Sequence, residues 1–246
     1  MTKTIILIPS RLAATRLPNK PLLKINGLSI VNHVYQKAKS TEIGNVYVAT
    51  GDEDIFKDVI NNGGQSILTK KEHKTGTDRI FEAYQKIKSD NIDYIINLQG
   101  DEPMININDI KNLNNKTTNN KFDIATLACK IKNQEMLNNS NIVKVITEQE
   151  LLKNNSSKAK YFLRETSFDN VTNIYHHIGI YIYKVSTLEK FVNLKQTKNE
   201  ISQKLEQLRA MENNINIEVI LANTSPVGVD TNEDYLEIKK LMEYKN

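Results

Sequence analysis

The apolar positions of the first hundred residues fall into short runs set between stretches of helical periodicity. Residues 4–8, which contain Ile5-Ile6-Leu7-Ile8, and residues 45–49, 65–68 and 94–98 read as strands, the first as a buried run. Between them Ser29 caps a helix over about 30–39, and Asp52 caps a second that runs to about 62 and ends at Gly63-Gly64. A loop over 70–76 leads into a third helix over about 77–88. This strand–helix–strand alternation predicts an α/β fold with a mostly parallel sheet covered by helices.

The rhythm then loosens. Residues 112–120 read as a helix end plus loop, 123–131 and 142–147 as strands, and 151–158 as a polar turn region. Residues 159–164 and 175–184 are strand-like and suggest an antiparallel excursion. In the second of these, Ile178, Ile180 and Ile182 share a face with His176, while His177, Gly179, Tyr181 and Tyr183 share the other. The isoleucine face is expected in the core, which turns His177 to the open side. A helix over about 200–212 carries a stripe of Ile201, Leu205 and Leu208, with Gln203, Glu206, Gln207 and Ala210 opposite. A strand at 217–221 precedes a last helix capped by Thr231, with Asp234 three residues on. No repeat or linker interrupts the chain, so residues 1–246 are expected to form one domain, with a small inserted lobe at about 150–195.

Composition narrows the class. A chain of 246 residues can bury a large core without staples. Its single cysteine, Cys129, lies in an apolar run and is expected to be a buried strand residue. With no disulfide framework, no zinc spacing and only four apolar residues before Pro9, the cytoplasm is the expected compartment, and no membrane span is expected. The formal net charge of +4 is spread along the chain, tryptophan is absent, and no basic-aromatic motif appears, so no nucleic-acid partner is expected.

The densest charge follows the first strand, in Pro9-Ser10-Arg11-Leu12-Ala13-Ala14-Thr15-Arg16-Leu17-Pro18-Asn19-Lys20-Pro21. Open α/β sheets bind ligands at strand ends of this kind. Arg11, Arg16 and Lys20 on a proline-bracketed loop suit a polyphosphate gripped by side chains, because neither Gly-x-Gly-x-x-Gly nor a Walker pattern is present. An ordinary solvated loop is the competing reading. Asp101, just past the fourth strand, and Asp230, just before the last helix, fall on the same sheet edge. Carboxylates facing cations and phosphates suggest Mg²⁺. Asp230 could instead cap the helix, but Thr231 is the better cap, and Asp101 and Glu102 could be simple turn residues.

Together these pieces resemble the CMP-Kdo synthetase family, the 3-deoxy-manno-octulosonate cytidylyltransferases, over about residues 4–240. The resemblance rests on Ile8-Pro9-Ser10-Arg11, Thr15-Arg16-Leu17-Pro18-Asn19-Lys20-Pro21-Leu22, Thr75-Gly76-Thr77-Asp78-Arg79 and Asn97-Leu98-Gln99-Gly100-Asp101-Glu102-Pro103. It continues through Ala125-Thr126-Leu127-Ala128, Val143-Lys144-Val145, His177-Ile178-Gly179-Ile180-Tyr181, Leu205-Glu206-Gln207-Leu208-Arg209 and Gly228-Val229-Asp230-Thr231, in that order. It implies a Rossmann-like nucleotidyltransferase fold, CTP and Kdo as substrates, CMP-Kdo and pyrophosphate as products, Mg²⁺ as cofactor, a homodimer, a cytoplasmic location and a place in lipopolysaccharide synthesis. The inserted lobe would serve sugar binding and dimer contacts.

Carried over residue by residue, the resemblance places Pro9, Arg11, Arg16, Lys20, Thr75, Gly76, Thr77 and Arg79 at CTP. It makes Lys20, Asp101 and Asp230 catalytic, the two aspartates as metal ligands, and sets Gln99, Arg164, His177, Glu206 and Gln207 at the sugar acid. Four positions depart from the family pattern: Asn19 for glycine, Ala14 for serine, His176 for a basic residue, and Leu163 for serine before Arg164. Asn19 tolerates a left-handed backbone, so its turn is expected to survive. Three rivals remain: a cytidylyltransferase for 8-amino-Kdo or sialic acid, a dinucleotide-dependent oxidoreductase, and a non-catalytic nucleotide-binding regulator. The missing glycine fingerprint speaks against the second, and the retained Asp101 and Asp230 against the third.

Overall fold

Strand β1 (Thr4–Ser10) is buried almost throughout, which is why its sequence is a run of isoleucine and leucine rather than an alternation. The computed structural model describes residues 2–13, 16–87, 91–165, 172–225 and 227–244; Ala14, Thr15 and Lys88 lie outside them. The chain forms two compact units, one of residues 1–111 with 226–246 and one of residues 112–225. The second takes in the whole 150–195 stretch and begins well before it.

In the first unit the chain passes from β1 through a 3₁₀ turn (Lys20–Leu22) and a hairpin of β2 (Lys24–Ile25) and β3 (Leu28–Ser29) into α1 (Ile30–Lys39). It continues through β4 (Val46–Thr50), α2 (Glu53–Asn61), β5 (Ser66–Leu68), α3 (Gly76–Lys86) and β6 (Tyr94–Asn97). The order β5-β4-β1-β6 is parallel throughout, as the alternation predicts. Ser29 caps α1 by accepting from the Asn32 N–H. Asp52 holds the N-cap position of α2, but its carboxylate makes no capping bond there; it accepts instead from the Leu12 N–H at 2.8 Å.

The next helix, α4 (Ile107–Asn120), overturns the expected loop at 112–120. Its asparagines disguised a helical spacing of buried positions, Ile110, Leu113 and Thr117. The second unit then contains β7 (Ile124–Lys130), α5 (Gln134–Asn138), β8 (Lys144–Thr147), β9 (Ser156–Leu163), β10 (Ile174–Lys184), α6 (Val185–Val192), α7 (Lys198–Gln203), α8 (Gln207–Glu212) and β11 (Ile217–Leu221). Its strands run β10-β7-β11-β9-β8, and β8 pairs again with β10, so the five close on themselves. Only β7 with β11 is parallel in this ring. Cys129 is buried in β7 as expected. Returning to the first unit, the chain ends in α9 (Asn232–Glu243), where Thr231 and Asp234 form the expected capping box.

Closure explains one correction. A bulge between Ile178 and Tyr181 interrupts the alternation of β10, and both faces are covered: His177, Tyr181 and Tyr183 are buried along with the isoleucines. His177 therefore does not face an open side. The helix over 200–212 is also corrected. Lys204 adopts a left-handed conformation (φ 54°) and breaks it into α7 and α8. That turn shifts the buried face: Leu205 is buried as expected, but Ile201 is not. Ile201 is 60% exposed, whereas Ala210, Glu200 at 4% and Arg209 at 3% are buried. Arg209 Nε donates to Glu200 Oε2 at 2.9 Å, its Nη2 pairs with Oε1, and its guanidinium lies 4.7 Å over the Phe191 ring. A buried bidentate pair explains how two charged residues came to occupy a core face.

Removing one partner leaves the other charge buried and unpaired. Glu200→Ala is expected to destabilise the protein by ~3–5 kcal/mol, read from the urea unfolding midpoint; a loss under about 1 kcal/mol would show that the pair is not buried as described.

Candidate active site

The basic loop leaves the C-terminal end of β1 and turns back through Asn19, whose φ of 55° and ψ of 20° are left-handed, as expected of the residue replacing glycine. The turn delivers Lys20 between two aspartates. Its Nζ lies 2.6 Å from Asp101 Oδ2 and 3.2 Å from Asp230 Oδ1, and Arg16 Nη2 lies 3.2 Å from Asp230 Oδ2. Burial works against the charge on Lys20, yet Asp101 first and Asp230 second raise its pKa above the ordinary value. The Val229 N–H donates to Asp101 O at 2.9 Å, so the two aspartate-bearing segments are joined by backbone as well. Beneath them Leu17, Ile25, Ile30, Val229 and Ile238 form a buried apolar cluster. Loop, strand end and last helix thus converge because their apolar neighbours share one core.

Glu102 went unassigned at the sequence level. Its Oε2 is buried with no hydrogen-bond partner, and burial, with Asp101 and Asp230 adding, pushes its carboxyl up to about 8. The only sequence signal for it was its place beside Asp101.

The other CTP candidates gather around the same strand end. Thr75 caps α3 by accepting from the Asp78 N–H. Gly76 packs on Pro9, where a Cβ would come within 3.2 Å of the proline Cγ. Thr77 is buried and accepts from Asn97 Nδ2 at 3.4 Å. Arg79 is buried too, and its guanidinium is engaged by Thr69 and by the Lys70 and Lys71 carbonyls. Arg11 is exposed on the loop, and Gln99 is half-buried past the end of β6.

The remaining sugar candidates belong to the second unit. Arg164 is half-buried and donates to the carbonyls of Gln203 and Ser140 at 3.2 and 3.3 Å. Glu206 precedes α8, with Oε1 3.7 Å from Arg209 Nη2, and Gln207 opens that helix. His177 Nε2 lies 3.0 Å from Thr126 Oγ1, which also lies 3.1 and 2.8 Å from the Ile178 and Ile180 carbonyls. A threonine hydroxyl has one proton, and the carbonyls take it. His177 is therefore the Nε2–H tautomer, donating to Thr126. Burial, with His176 adding, lowers its pKa to about 3, and Phe162 meets the ring edge-on at 5.0 Å between centroids.

Asp101 and Asp230 sharing one cation can also share a hard metal ion, which is held typically by one or two carboxylates and substrate phosphates. The orphaned Glu102 oxygen beside them fits a site that gains positive charge. Among the described residues no group of three or more His, Cys, Asp and Glu could hold a metal unaided.

Comparison with known proteins shows the family. The cytidylyltransferase family pattern matches residues 5–217. A 3-deoxy-manno-octulosonate cytidylyltransferase of Bartonella tribocorum is 42% identical over 239 residues, 97% of this chain and 98% of that protein. One from Nitrobacter winogradskyi is 40% identical over 94% of this chain and 91% of its own length. A solved CMP:2-keto-3-deoxy-manno-octonic acid synthetase complexed with CTP superposes with a TM-score of 0.90 at 33% identity, covering 100% of both chains. The chain belongs to the cytidylyltransferase family, and its α/β architecture is that of the nucleotidyltransferases.

The His177 assignment has a direct check. Its imidazole NMR signals should stay unchanged from pH 8 to pH 5, with ¹⁵N shifts of a neutral ring protonated at Nε2. A titration midpoint near 6.5 would contradict the buried hydrogen bond.

Proposed function

We propose that this protein transfers a cytidylyl group from CTP to 3-deoxy-manno-octulosonate, giving CMP-Kdo and pyrophosphate for lipopolysaccharide synthesis. The observation that carries the reading is the Lys20 bridge between Asp101 and Asp230 under a basic loop, in a chain so similar to Kdo cytidylyltransferases.

In this reaction the anomeric hydroxyl oxygen attacks the α-phosphorus in line, the α–β bridging P–O bond breaks, and pyrophosphate leaves. Positioning and charge neutralisation do most of the work. Arg11, Arg16 and Lys20 hold the triphosphate and stabilise the charge that develops on the leaving group. Thr75, Gly76 and Thr77 lie along the cytidine. His177, uncharged and with Nδ1 free of the Thr126 bond, suits a hydroxyl of a neutral sugar ring better than a carboxylate. Gln99, Arg164, Glu206 and Gln207 complete the proposed sugar contacts.

Asp101 and Asp230 are the proposed holders of Mg²⁺, which when bound neutralises phosphate charge and acidifies the attacking hydroxyl. The homodimer and the cytoplasmic location belong to the same proposal and rest on the family resemblance. No helix among the described residues is long and apolar enough to cross a membrane.

The test is pyrophosphate release with CTP, Mg²⁺ and Kdo, each omitted in turn, with 8-amino-Kdo and sialic acid as parallel acceptors. Release should need all three components and favour Kdo. Asp101→Asn should lower kcat about 100-fold or more while CTP still binds. Near-normal turnover of that variant at saturating Mg²⁺ would remove the metal role, and equal rates without Kdo would remove the acceptor.

A further inference from the structure

The segment between β5 and α3 exposes Lys70, Lys71, Glu72 and Lys74 and has no apolar anchor of its own. A stretch of this kind is ordinarily among the most mobile parts of a fold. Here α3 grips it from below with residues at positions 79, 82 and 86, spaced three and four apart on one helix face. Arg79 Nη1 donates to Thr69 Oγ1 at 2.7 Å and to Lys70 O at 3.1 Å, and Nη2 donates to Lys71 O at 3.1 Å. The Glu82 carboxylate accepts from the Lys70 N–H, 3.1 Å from each oxygen, and lies 2.5 Å from His73 Nε2. Lys86 Nζ joins Glu82 Oε1 at 2.7 Å to the Leu68 carbonyl at 2.7 Å.

Burial alone would raise the Glu82 pKa; Lys86, the Lys70 N–H and His73 outweigh it and hold the carboxyl at about 2. The clamp also reaches the basic loop. A Cβ on Gly51 would stand 2.5 Å from Lys71 Cα, so the segment presses directly on the end of β4. The next residue, Asp52, takes the Leu12 N–H. Burial lowers the Arg79 pKa, Asp52 opposes that, and Arg11 adds to it, so Arg79 lies within the field of both.

We propose that Glu82 and His73, with Arg79, are positioning residues for the base end of the nucleotide: they act through the Lys70–Thr75 backbone and hold it preformed for CTP. Arg79 on this view serves the cytidine through the segment it ties down rather than by touching it. The proposal rests on the reading of Thr75–Thr77 as the cytidine contact. It adds two residues, Glu82 and His73, that neither the basic loop nor the aspartate pair requires.

The experiment varies CTP and Kdo separately in steady-state assays of the full chain, wild type against Glu82→Ala and Glu82→Gln, with UTP as a competing nucleotide. Glu82→Ala should raise KM for CTP about tenfold and cut the preference for CTP over UTP by a similar factor, with kcat and KM for Kdo within about twofold. Glu82→Gln keeps an oxygen for the Lys70 N–H and should bring KM back to within about threefold of wild type. If Glu82→Ala does not fold, His73→Ala is read in its place, with the same pattern expected at smaller size. Equal changes in kcat and both KM values, or no change at all, would overturn the proposal and leave the clamp merely structural. A wild type that fails to turn over CTP with Kdo would overturn the functional reading instead.

Discussion

One ammonium group organises the candidate active site of this protein. Lys20 Nζ lies between Asp101 and Asp230, which are 81 and 210 residues away in sequence. Without that cation the two carboxylates would repel one another across a partly buried site, where burial also pushes the carboxyl of neighbouring Glu102 up to about 8. With it, the basic loop, the end of β6 and the approach to α9 meet over one apolar cluster. A triphosphate would supply the negative charge that Lys20 and Arg16 now find on aspartate. A divalent cation would supply the positive charge that the aspartates now find on Lys20.

The second unit manages buried charge differently. Lys144 is fully buried, and its Nζ donates to the carbonyls of Asn139 and Arg164 at 2.6 and 2.7 Å, joining the end of α5 to the end of β9. Arg209 and Glu200 satisfy each other inside the α7–α8 corner. His177 is kept neutral by burial and oriented by a threonine whose proton is already committed. Each is a polar group placed in a core with its partners supplied, and such groups fix geometry more than they add stability.

Much of this was legible in the sequence because it follows from local rules. The parallel strands showed as unbroken apolar runs, the caps at Ser29 and Thr231 as single residues before helical periodicity, and the strained turn as Asn19 standing where glycine is usual. Asp101 and Asp230 could be placed on one edge from topology alone. What could not be read depended on partners distant in sequence. Glu200 and Arg209 look solvated in any linear pattern, and only their mutual pairing makes them core. The Lys204 turn that breaks the helix leaves no signal, since lysine is a good helix former. Asp52 read as a plain helix cap, and its bond to Leu12 needed the loop to be in place. His177 seemed to face outward because alternation assumes an open sheet, and β8 closes this one onto β10.

Lys20 is the group that would exchange aspartate for phosphate when a triphosphate binds. Calorimetric titration of CTP in Mg²⁺ into wild type and Lys20→Met measures this directly, without chemistry or sugar. CTP affinity should fall about 100-fold in the variant, with the fold retained by circular dichroism. Equal affinity in the two proteins would mean that Lys20 only ties the aspartates together, and the charge-exchange picture would be wrong.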